Sequence, residues 1–407
     1  MSNLLTHWNS LINDNKIIST RNSLREAYFN FCSEHKYIQV NNIPLASKED
    51  KSVLFIGAGI SAVKDILMNQ RYIAGSNGVY LTQECIRTGA KDFMFDNSWI
   101  PNGQIYFEML SNLSIPNRFN DVLNEFVDFT HSEIGVPYSR IKILSTRTEK
   151  FLSCLDIESK VLVEYDTKKS SFYNWVYGIN GVYGRGISVN IFNTTTNSWM
   201  DIANVVSIFD CEHNEIGVES GFGYEFFITS SLSLKHPLMA SKIFDVFPYK
   251  EGLALKYYYN LEAVANMKRT GVDCFNSDGR NHIYKQYLKS LQYIGEKINI
   301  DNKQIISDIG TYLKKIFPEC ECDMNPEIIF LENHKKFKYH FGGIVKRIRN
   351  CYQQIYNGEI PKEYIKEPIK MIKNYMKKHG IRYEEVSDDL EGLKNEYFYN
   401  DLIKELK

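Results

Sequence analysis

The 407-residue chain has no paired-cysteine motif, no long apolar run and almost no net charge, and each absence removes a class of protein. Eight cysteines, Cys32, Cys85, Cys154, Cys211, Cys274, Cys320, Cys322 and Cys351, are scattered without a CxxC pair. Cys320-x-Cys322 has no His or Cys partner at zinc-ribbon spacing, so no metal-ligand set is expected. Scattered thiols suit a reducing compartment, and a cytoplasmic location is the expectation. No window of about 18 apolar residues occurs, which leaves nothing to span a membrane. The first residues, Met1-Ser-Asn-Leu-Leu-Thr-His-Trp8, lack the basic start and apolar run of a signal peptide. Internal repeats and low-complexity tracts are also missing.

What is present describes an ordinary globular chain. Hydrophobic residues make up 43% and aromatics 14%, which excludes the disordered and fibrous classes. The length corresponds to two or three domains at roughly 150 residues each. Lys and Arg (48) nearly cancel Asp and Glu (49), but the balance hides an asymmetry. Lys335 to Arg382 holds thirteen basic residues against Glu359, Glu363 and Glu367, a local excess of ten positive charges. Such a field attracts polyanions, although a merely solvated helical face gives the same pattern.

Organisation changes along the chain. Ser23 to His35 reads as an amphipathic helix with Leu24, Tyr28 and Phe31 on one face. Short β-rich runs follow: Val53–Ile56, Val79–Thr82, Ile105–Leu110, Val161–Tyr165, Ser188–Phe192 and Val205–Phe209, separated by turn residues. Beyond Phe247-Pro248 the periodicity is helical. Ile369, Ile372 and Met376 form one stripe, with Pro368 in the first turn and Gly380 as a stop. Lys366, Lys370, Lys373 and Lys377 repeat on an adjoining face.

Val53-Leu-Phe-Ile-Gly-Ala-Gly-Ile-Ser-Ala62 has the form of a dinucleotide-binding turn, with a helix expected from Val63. The acidic residue such a turn needs about twenty positions on is missing from Gly78–Gln83, and no βαβ alternation follows. The same glycines belong to a longer pattern. Phe55-Ile-Gly-Ala-Gly-Ile-Ser-Ala-Val-Lys-Asp-Ile-Leu67 resembles the F-T-N-A-G-M-x-x-F-K-D segment of alanyl-tRNA synthetases. Thr82-Gln-Glu-Cys-Ile-Arg-Thr-Gly-Ala-Lys91 is similar to that family's T-S-Q-x-C-V-R-A-G-G-K. Tyr106-Phe-Glu-Met-Leu-Ser-Asn-Leu-Ser114 resembles F-F-E-M-L-G-N-F-S, and Gly135-Val-Pro-Tyr-Ser-Arg-Ile141 resembles L-G-L-P-x-E-R-L. Asp201-Ile-Ala-Asn-Val-Val206 is similar to E-I-W-N-L-V, and Val218-Glu-Ser-Gly-Phe-Gly-Tyr-Glu225 to V-D-T-G-M-G-L-E. Gly279-Arg-Asn-His-Ile-Tyr-Lys285 resembles R-G-Y-V-L-R of the tRNA-recognition region. Order and spacing agree from about residue 22 to residue 350.

The resemblance implies an α+β fold: a class II synthetase antiparallel sheet flanked by helices over residues 1–245, then an all-α domain over 246–407. It further implies a paralogue with catalytic and helical recognition domains but no editing domain. The family's chemistry is attack of an amino-acid carboxylate on the α-phosphate of ATP, with Mg2+ accompanying the nucleotide. Matched position by position, Arg87 is the catalytic and ATP-gripping arginine, with Glu108, Gly221 and Gly223 as further ATP-binding residues. Trp175, Asn204 and Glu219 are the amino-acid-binding set for alanine or another small amino acid, with Glu219 where the family has Asp. Arg280, Lys285, Lys289, Lys346, Arg347 and Arg349 are the nucleic-acid-binding candidates, for tRNA rather than DNA.

The departures are equally specific. Phe226 stands where class II enzymes end motif 3 with an ATP-packing arginine. Asn102-Gly103-Gln104 replaces Arg-His-His, and Gly178-Ile-Asn-Gly-Val-Tyr-Gly-Arg-Gly186 replaces the family's Gly-Asp-Thr-Gly-Pro-Cys-Gly-Pro-Cys. Within that stretch Arg185 is a candidate substitute cation. An acceptor-stem asparagine falls on Ser277. Removing one charge-assisted hydrogen bond to phosphate costs on the order of 1.5–3 kcal/mol. Two functions therefore stand from sequence: a diverged adenylate-forming ligase passing its acyl group to a tRNA or a small amine or hydroxyl, or a non-catalytic module binding tRNA or aminoacyl-tRNA. A transferase that takes preformed aminoacyl-tRNA without ATP lies between them.

Overall fold

The computed structural model describes residues 17–48, 50–101, 103–145, 160–166, 173–236, 238–276, 279–359, 366–391, 393–394 and 399–406. The chain divides into two compact units, one of residues 1–88 with 101–250 and one of 89–100 with 251–407. Sequence periodicity places a single boundary near residue 245. The segment Gly89–Ile100 instead joins the helical unit, where Lys256 Nζ donates to the carbonyls of Phe93 (3.0 Å) and Asp96 (2.6 Å).

The first unit is built on a nine-stranded sheet. Its strands are β1 (Tyr37–Gln39), β2 (Gly78–Ile86), β3 (Tyr106–Ser114), β4 (Ile141–Ser145), β5 (Leu162–Tyr165), β6 (Asn174–Val176), β7 (Tyr183–Asn193), β8 (Ser198–Phe209) and β9 (Glu215–Gly223). The order is β1-β2-β3-β9-β8-β7-β4-β5, with β6 on β7. Only β1–β2 and β4–β5 pair in parallel, and the centre is antiparallel throughout. The mixed α+β class and the antiparallel core match the expectation from sequence.

Directly opposed residues share a face of an antiparallel sheet. Leu110, Ile187, Val189, Ala203, Val205 and Phe222 lie on one face and form a buried core. Helices α1 (Ile17–Glu34), α3 (Phe119–Asp128) and α4 (Tyr224–Ser231) contribute Leu24, Tyr28, Leu123, Phe126 and Phe227 to it. Phe222 anchors it, with edge-on contacts to Tyr28 and Phe126 at centroid separations of 5.4 Å. Each such pair contributes about 0.5–1.5 kcal/mol beyond its buried area. The other face carries Phe107, Met109 and Ser111 of β3, Asn204 and Val206 of β8, and Glu219, Gly221 and Gly223 of β9. Cross-strand pairs Ser111–Gly221, Met109–Gly223, Asn204–Gly221 and Val206–Glu219 bring these together.

One local reading fails, and a second holds only as a short element. Val53–Ile56 is not a strand; Ile56 donates its N–H to the Leu45 carbonyl and accepts from the Ile86 N–H. The helix expected from Val63 is present as α2 (Lys64–Met68), after one 3-10 turn at Gly59–Ala62, but its five residues fall far short of a βαβ crossover.

The second unit is helical: α5 (Gly252–Lys268), α6 (Gly279–Lys297), α7 (Asn302–Ile316), α8 (Asn325–Tyr356), α9 (Lys366–His379), α10 (Tyr383–Glu391) and α11 (Tyr399–Leu406). Leu255 to Met267 of α5 are all buried, so its polar groups pair internally. Tyr257 donates to Asp308 (2.8 Å) and Asn260 to the Ser290 hydroxyl (2.7 Å). The predicted α9 stripe packs as read, with Ile372 and Met376 in a cluster with Phe341, Val345, Ile348, Val386 and Leu390. Gly380, at φ +60°, ends that helix. Among the described residues no helix is long and apolar enough to cross a membrane.

Candidate active site

Two adjoining clefts open on the face of the central strands opposite the core built by α1, α3 and α4. The first, about 270 Å³, is bounded by Arg87, Gln104, Phe107, Asp201, Gly223 and Phe226. The second, about 470 Å³, runs past Gly57, Lys64, Trp175, Tyr177, Val206 and Glu219. Arg87, Met109, Asn204 and Gly221 line both, so the two clefts lie side by side along one trough-shaped surface.

Six of the seven residues expected to bind ATP or amino acid thus meet on one surface. Arg87 follows the last residue of β2, its N–H held by the Ile105 carbonyl (2.9 Å). Its exposed guanidinium lies 4.9 Å from the Phe107 ring centroid and pairs with no carboxylate among the described residues. A cation poised on an aromatic face and free of carboxylates suits an incoming phosphate. Gly221 and Gly223 form the floor. A β-carbon at Gly221 would meet the Met109 methyl at 2.8 Å, and one at Gly223 would meet Phe107 at 3.4 Å. Glycine at these positions keeps the trough open.

Asn204 is oriented from β7, where its Nδ2 donates to the Ser188 hydroxyl (3.0 Å). The same hydroxyl donates to Asp201 (3.3 Å). Register slips between Val189 and Asn190, leaving Ile202 as the extra residue of a bulge, and both Asp201 and Asn204 line the first cleft.

Glu219 sits at the far end, 9% exposed. Burial pushes its carboxyl up to about 7, with the neighbouring Tyr177 hydroxyl opposing part of the rise. No cation among the described residues pairs with it. The Ser111 hydroxyl, near this end, is buried without a hydrogen-bond partner. A buried carboxyl without a counter-charge is costly to ionise, and an ammonium group from a ligand would supply the charge it lacks.

Glu108 is the exception. It alternates with Phe107 and Met109 on β3 and so lies on the opposite face of the sheet. Its carboxylate bonds Arg25 and Lys242. Burial alone would raise that carboxyl, but the charges of Lys242 and Arg25 outweigh it and hold it at about 2. Glu225, whose carboxyl accepts from the Glu108 N–H, is pushed up to about 8 by burial and the Glu108 charge. Glu108 belongs to a buried ionic network and not to the cleft lining.

Three cleft residues were not picked out from sequence. Lys64 bonds Asp50 (2.7 Å) and the Ser52 hydroxyl (3.0 Å) beside the second cleft. Gln104, read as a lost cation, holds a buried Nε2 without a partner at the first. Asp201 supplies the first cleft with a carboxylate. Magnesium usually takes one or two carboxylates and completes its shell with substrate phosphates and water. Asp201 and the Asn204 carbonyl fit that role, while among the described residues no group of three His, Cys, Asp or Glu converges. Arg185 lines neither cleft; it is exposed beside the Tyr183 ring.

The nucleic-acid candidates separate. Lys289 is buried, its Nζ donating to the carbonyls of Gly380 (2.8 Å) and His379 (3.4 Å) at the end of α9. It is a helix cap and closed to a polyanion. Ser277 lies outside the described residues. Arg280 is half-buried, and Lys285 bonds the Asn276 carbonyl (2.8 Å). Lys346, Arg347 and Arg349 are exposed on α8. Tyr284 meets Glu327 and Glu296 meets Lys338, so α6 and α8 run in parallel. Nineteen residues of helix between Glu327 and Lys346 place the two basic groups about 30 Å apart.

Comparison with known proteins agrees with the motifs. Residues 23–173 match the family model for tRNA synthetases class II (A). Alanine–tRNA ligase of Dinoroseobacter shibae is 27% identical over 130 residues, which is 31% of this chain and 14% of the relative. That of Chlamydia caviae is 32% identical over 101 residues, 25% of this chain and 11% of the relative. The chain thus spans about one seventh or less of these relatives' lengths. Among solved structures, asparaginyl-tRNA synthetase of Pyrococcus horikoshii, complexed with asparaginyl-adenylate, aligns with a TM-score of 0.34 at 10% identity, over 55% of this chain and 67% of that one. Pyrrolysyl-tRNA synthetase of Desulfitobacterium hafniense aligns with a TM-score of 0.33 at 11% identity, over 53% and 70%.

Proposed function

We propose that this synthetase-like chain is an ATP-dependent ligase that activates an amino acid as its adenylate and passes the acyl group to a second nucleophile. The observation that carries this is the polarity of the trough. An uncompensated guanidinium, Arg87, lies where the two clefts meet, and an uncompensated buried carboxyl, Glu219, lies toward the far end of the second. A free amino acid has the reverse polarity, an ammonium at one end and a carboxylate at the other. With its ammonium on Glu219, its carboxylate lies toward Arg87, in reach of an α-phosphate held there. Carboxylate oxygen attacks phosphorus, the bond to pyrophosphate breaks, and Arg87 stabilises the charge on the phosphoryl oxygens. Neutralisation and positioning of this kind supply most of the catalysis.

Phe226 bears on the nucleotide end. It and Phe107 flank Gly223 on the wall of the first cleft. Two aromatic surfaces with no side chain between them suit a flat purine, so stacking takes over the role of the missing arginine. The Gln104 amide adds a donor for phosphate. Mg2+ would sit with the phosphates at Asp201 and Asn204. The acceptor is a tRNA, or a small amine or hydroxyl.

Phe226 equally favours a second reading, in which a synthetase fold has lost ATP and binds tRNA or aminoacyl-tRNA through the basic stretch of α8 and α9. Amino-acid-dependent exchange of labelled pyrophosphate into ATP separates the two. Exchange with one or a few amino acids, lost in Arg87→Ala, supports the ligase. No exchange, with tRNA binding that falls steeply with salt, supports the module.

A further inference from the structure

The amino-acid end of the trough is larger than a methyl side chain needs. The second cleft measures about 470 Å³, while a cavity of about 150 Å³ holds a benzene-sized ring. Its lining is mostly apolar: Ile60, Trp175 and Val206 line it together with Glu219, and Val53 and Val176 are its exposed members. Lys64 is held by Asp50 and Ser52, and hydrogen bonds from Lys64, Ser52 and Ser61 outweigh burial and keep the Asp50 carboxyl at about 2. That lysine is committed within the fold and offers no full charge to a side chain.

Two glycines show how the room arises. A β-carbon on Gly59 would run into the Ser111 hydroxyl, so packing requires that glycine. Gly57 is different. A β-carbon there would meet only the Ile86 carbonyl, at an ordinary 3.7 Å, and its backbone lies outside the left-handed region. Neither packing nor backbone needs Gly57, which stands where the resembling F-T-N-A-G-M motif has asparagine. Its effect is to remove a side chain from the cleft lining.

From this geometry we infer that the amino acid taken by this site has an uncharged apolar side chain of leucine to phenylalanine size, and is not alanine. The inference rests on the ligase reading and narrows its substrate. Each additional buried methylene discriminates by about tenfold or more in an apolar pocket.

The test compares alanyl-, leucyl- and phenylalanyl-sulfamoyl adenosine, stable mimics of the adenylates, by calorimetric titration of the full chain and of Gly57→Asn. Pyrophosphate exchange is run in parallel with alanine, leucine and phenylalanine. The expected result is at least tenfold tighter binding of the leucyl or phenylalanyl mimic, with matching exchange. In Gly57→Asn the larger mimic should lose at least tenfold while the alanyl mimic changes little. Preference for the alanyl mimic in the wild type overturns the inference and leaves the ligase reading standing. A loss shared equally by all three mimics in Gly57→Asn also overturns it, because the position would then not sense side-chain size. No binding and no exchange with any of them overturns the ligase reading, and this inference with it.

Discussion

Glu219→Gln isolates the most unusual electrostatic feature of the trough. Glutamine keeps the shape of the side chain and removes its titration. In the folded protein the carboxyl is held at about 7, against 4.5 as its ordinary value, because burial disfavours its charge. The folded state therefore keeps a proton that the unfolded chain releases between those two pH values. Stability from this group is fully present below 4.5 and is lost as pH rises through 7. The loss comes to about 3 kcal/mol at pH 8.5. Urea unfolding of wild type and variant at pH 5 and pH 8.5, followed by circular dichroism, reads it directly. The two proteins should be nearly equal in stability at pH 5, and the variant more stable by about 3 kcal/mol at pH 8.5. Taking the difference between the proteins removes Glu225 and every other titrating group. In binding the sign reverses, because an ammonium ligand compensates the carboxylate. The variant should bind amino acid about 10–150-fold more weakly, from the loss of a charge-assisted hydrogen bond of about 1.5–3 kcal/mol. A stability difference that stays flat from pH 5 to 8.5 would refute the reasoning.

Other substitutions test other parts. Arg87→Ala should leave the unfolding free energy from urea titration within about 0.5 kcal/mol of wild type, since the side chain is exposed and outside any described ion pair, while pyrophosphate exchange falls by about two to three orders of magnitude. Lys242→Met leaves the buried Glu108 with Arg25 as its remaining bonded cation and should cost about 3–5 kcal/mol of folding stability by urea titration. In tRNA binding measured against salt, Lys346→Ala with Arg347→Ala should reduce the slope by about two. Lys289→Met should leave that slope unchanged and cost about 1–3 kcal/mol of stability, through the α9 carbonyls it caps.

Much of this was legible before the structure, for physical reasons. The strands rich in Val, Ile and aromatic residues were found in part, because packing on a half-buried surface selects those types. That Arg87, Asn204, Gly221 and Glu219 would share one surface was legible from the motif resemblance, because each matched motif also carries a strand position. Glu108 was misplaced because a motif match ignores alternation; its position between Phe107 and Met109 was enough to assign it to the other face. Lys289 was misread because a lysine in a helix is exposed far more often than it is spent on a neighbouring helix's carbonyls. Lys64, Gln104 and Asp201 were missed for different reasons. A committed lysine and a neutral amide carry no sequence signal of their own, and Asp201 reaches the cleft through a bulge that strand parity does not reveal. The grouping of Gly89–Ile100 with the helical unit depends on long-range bonds, such as those of Lys256, that no local pattern encodes.

Attack of the amino-acid carboxylate on the α-phosphate is tested most directly by following one oxygen atom. The full chain is incubated with ATP, Mg2+, an amino acid that supports exchange, labelled with oxygen-18 in its carboxylate, and hydroxylamine to intercept the acyl group. Hydroxylamine attacks the carbonyl carbon, so the bridging oxygen departs with phosphorus. The predicted product is AMP carrying one oxygen-18 atom, formed together with the amino-acid hydroxamate and absent in Arg87→Ala. Unlabelled AMP, or nucleotide consumption without hydroxamate, would contradict it.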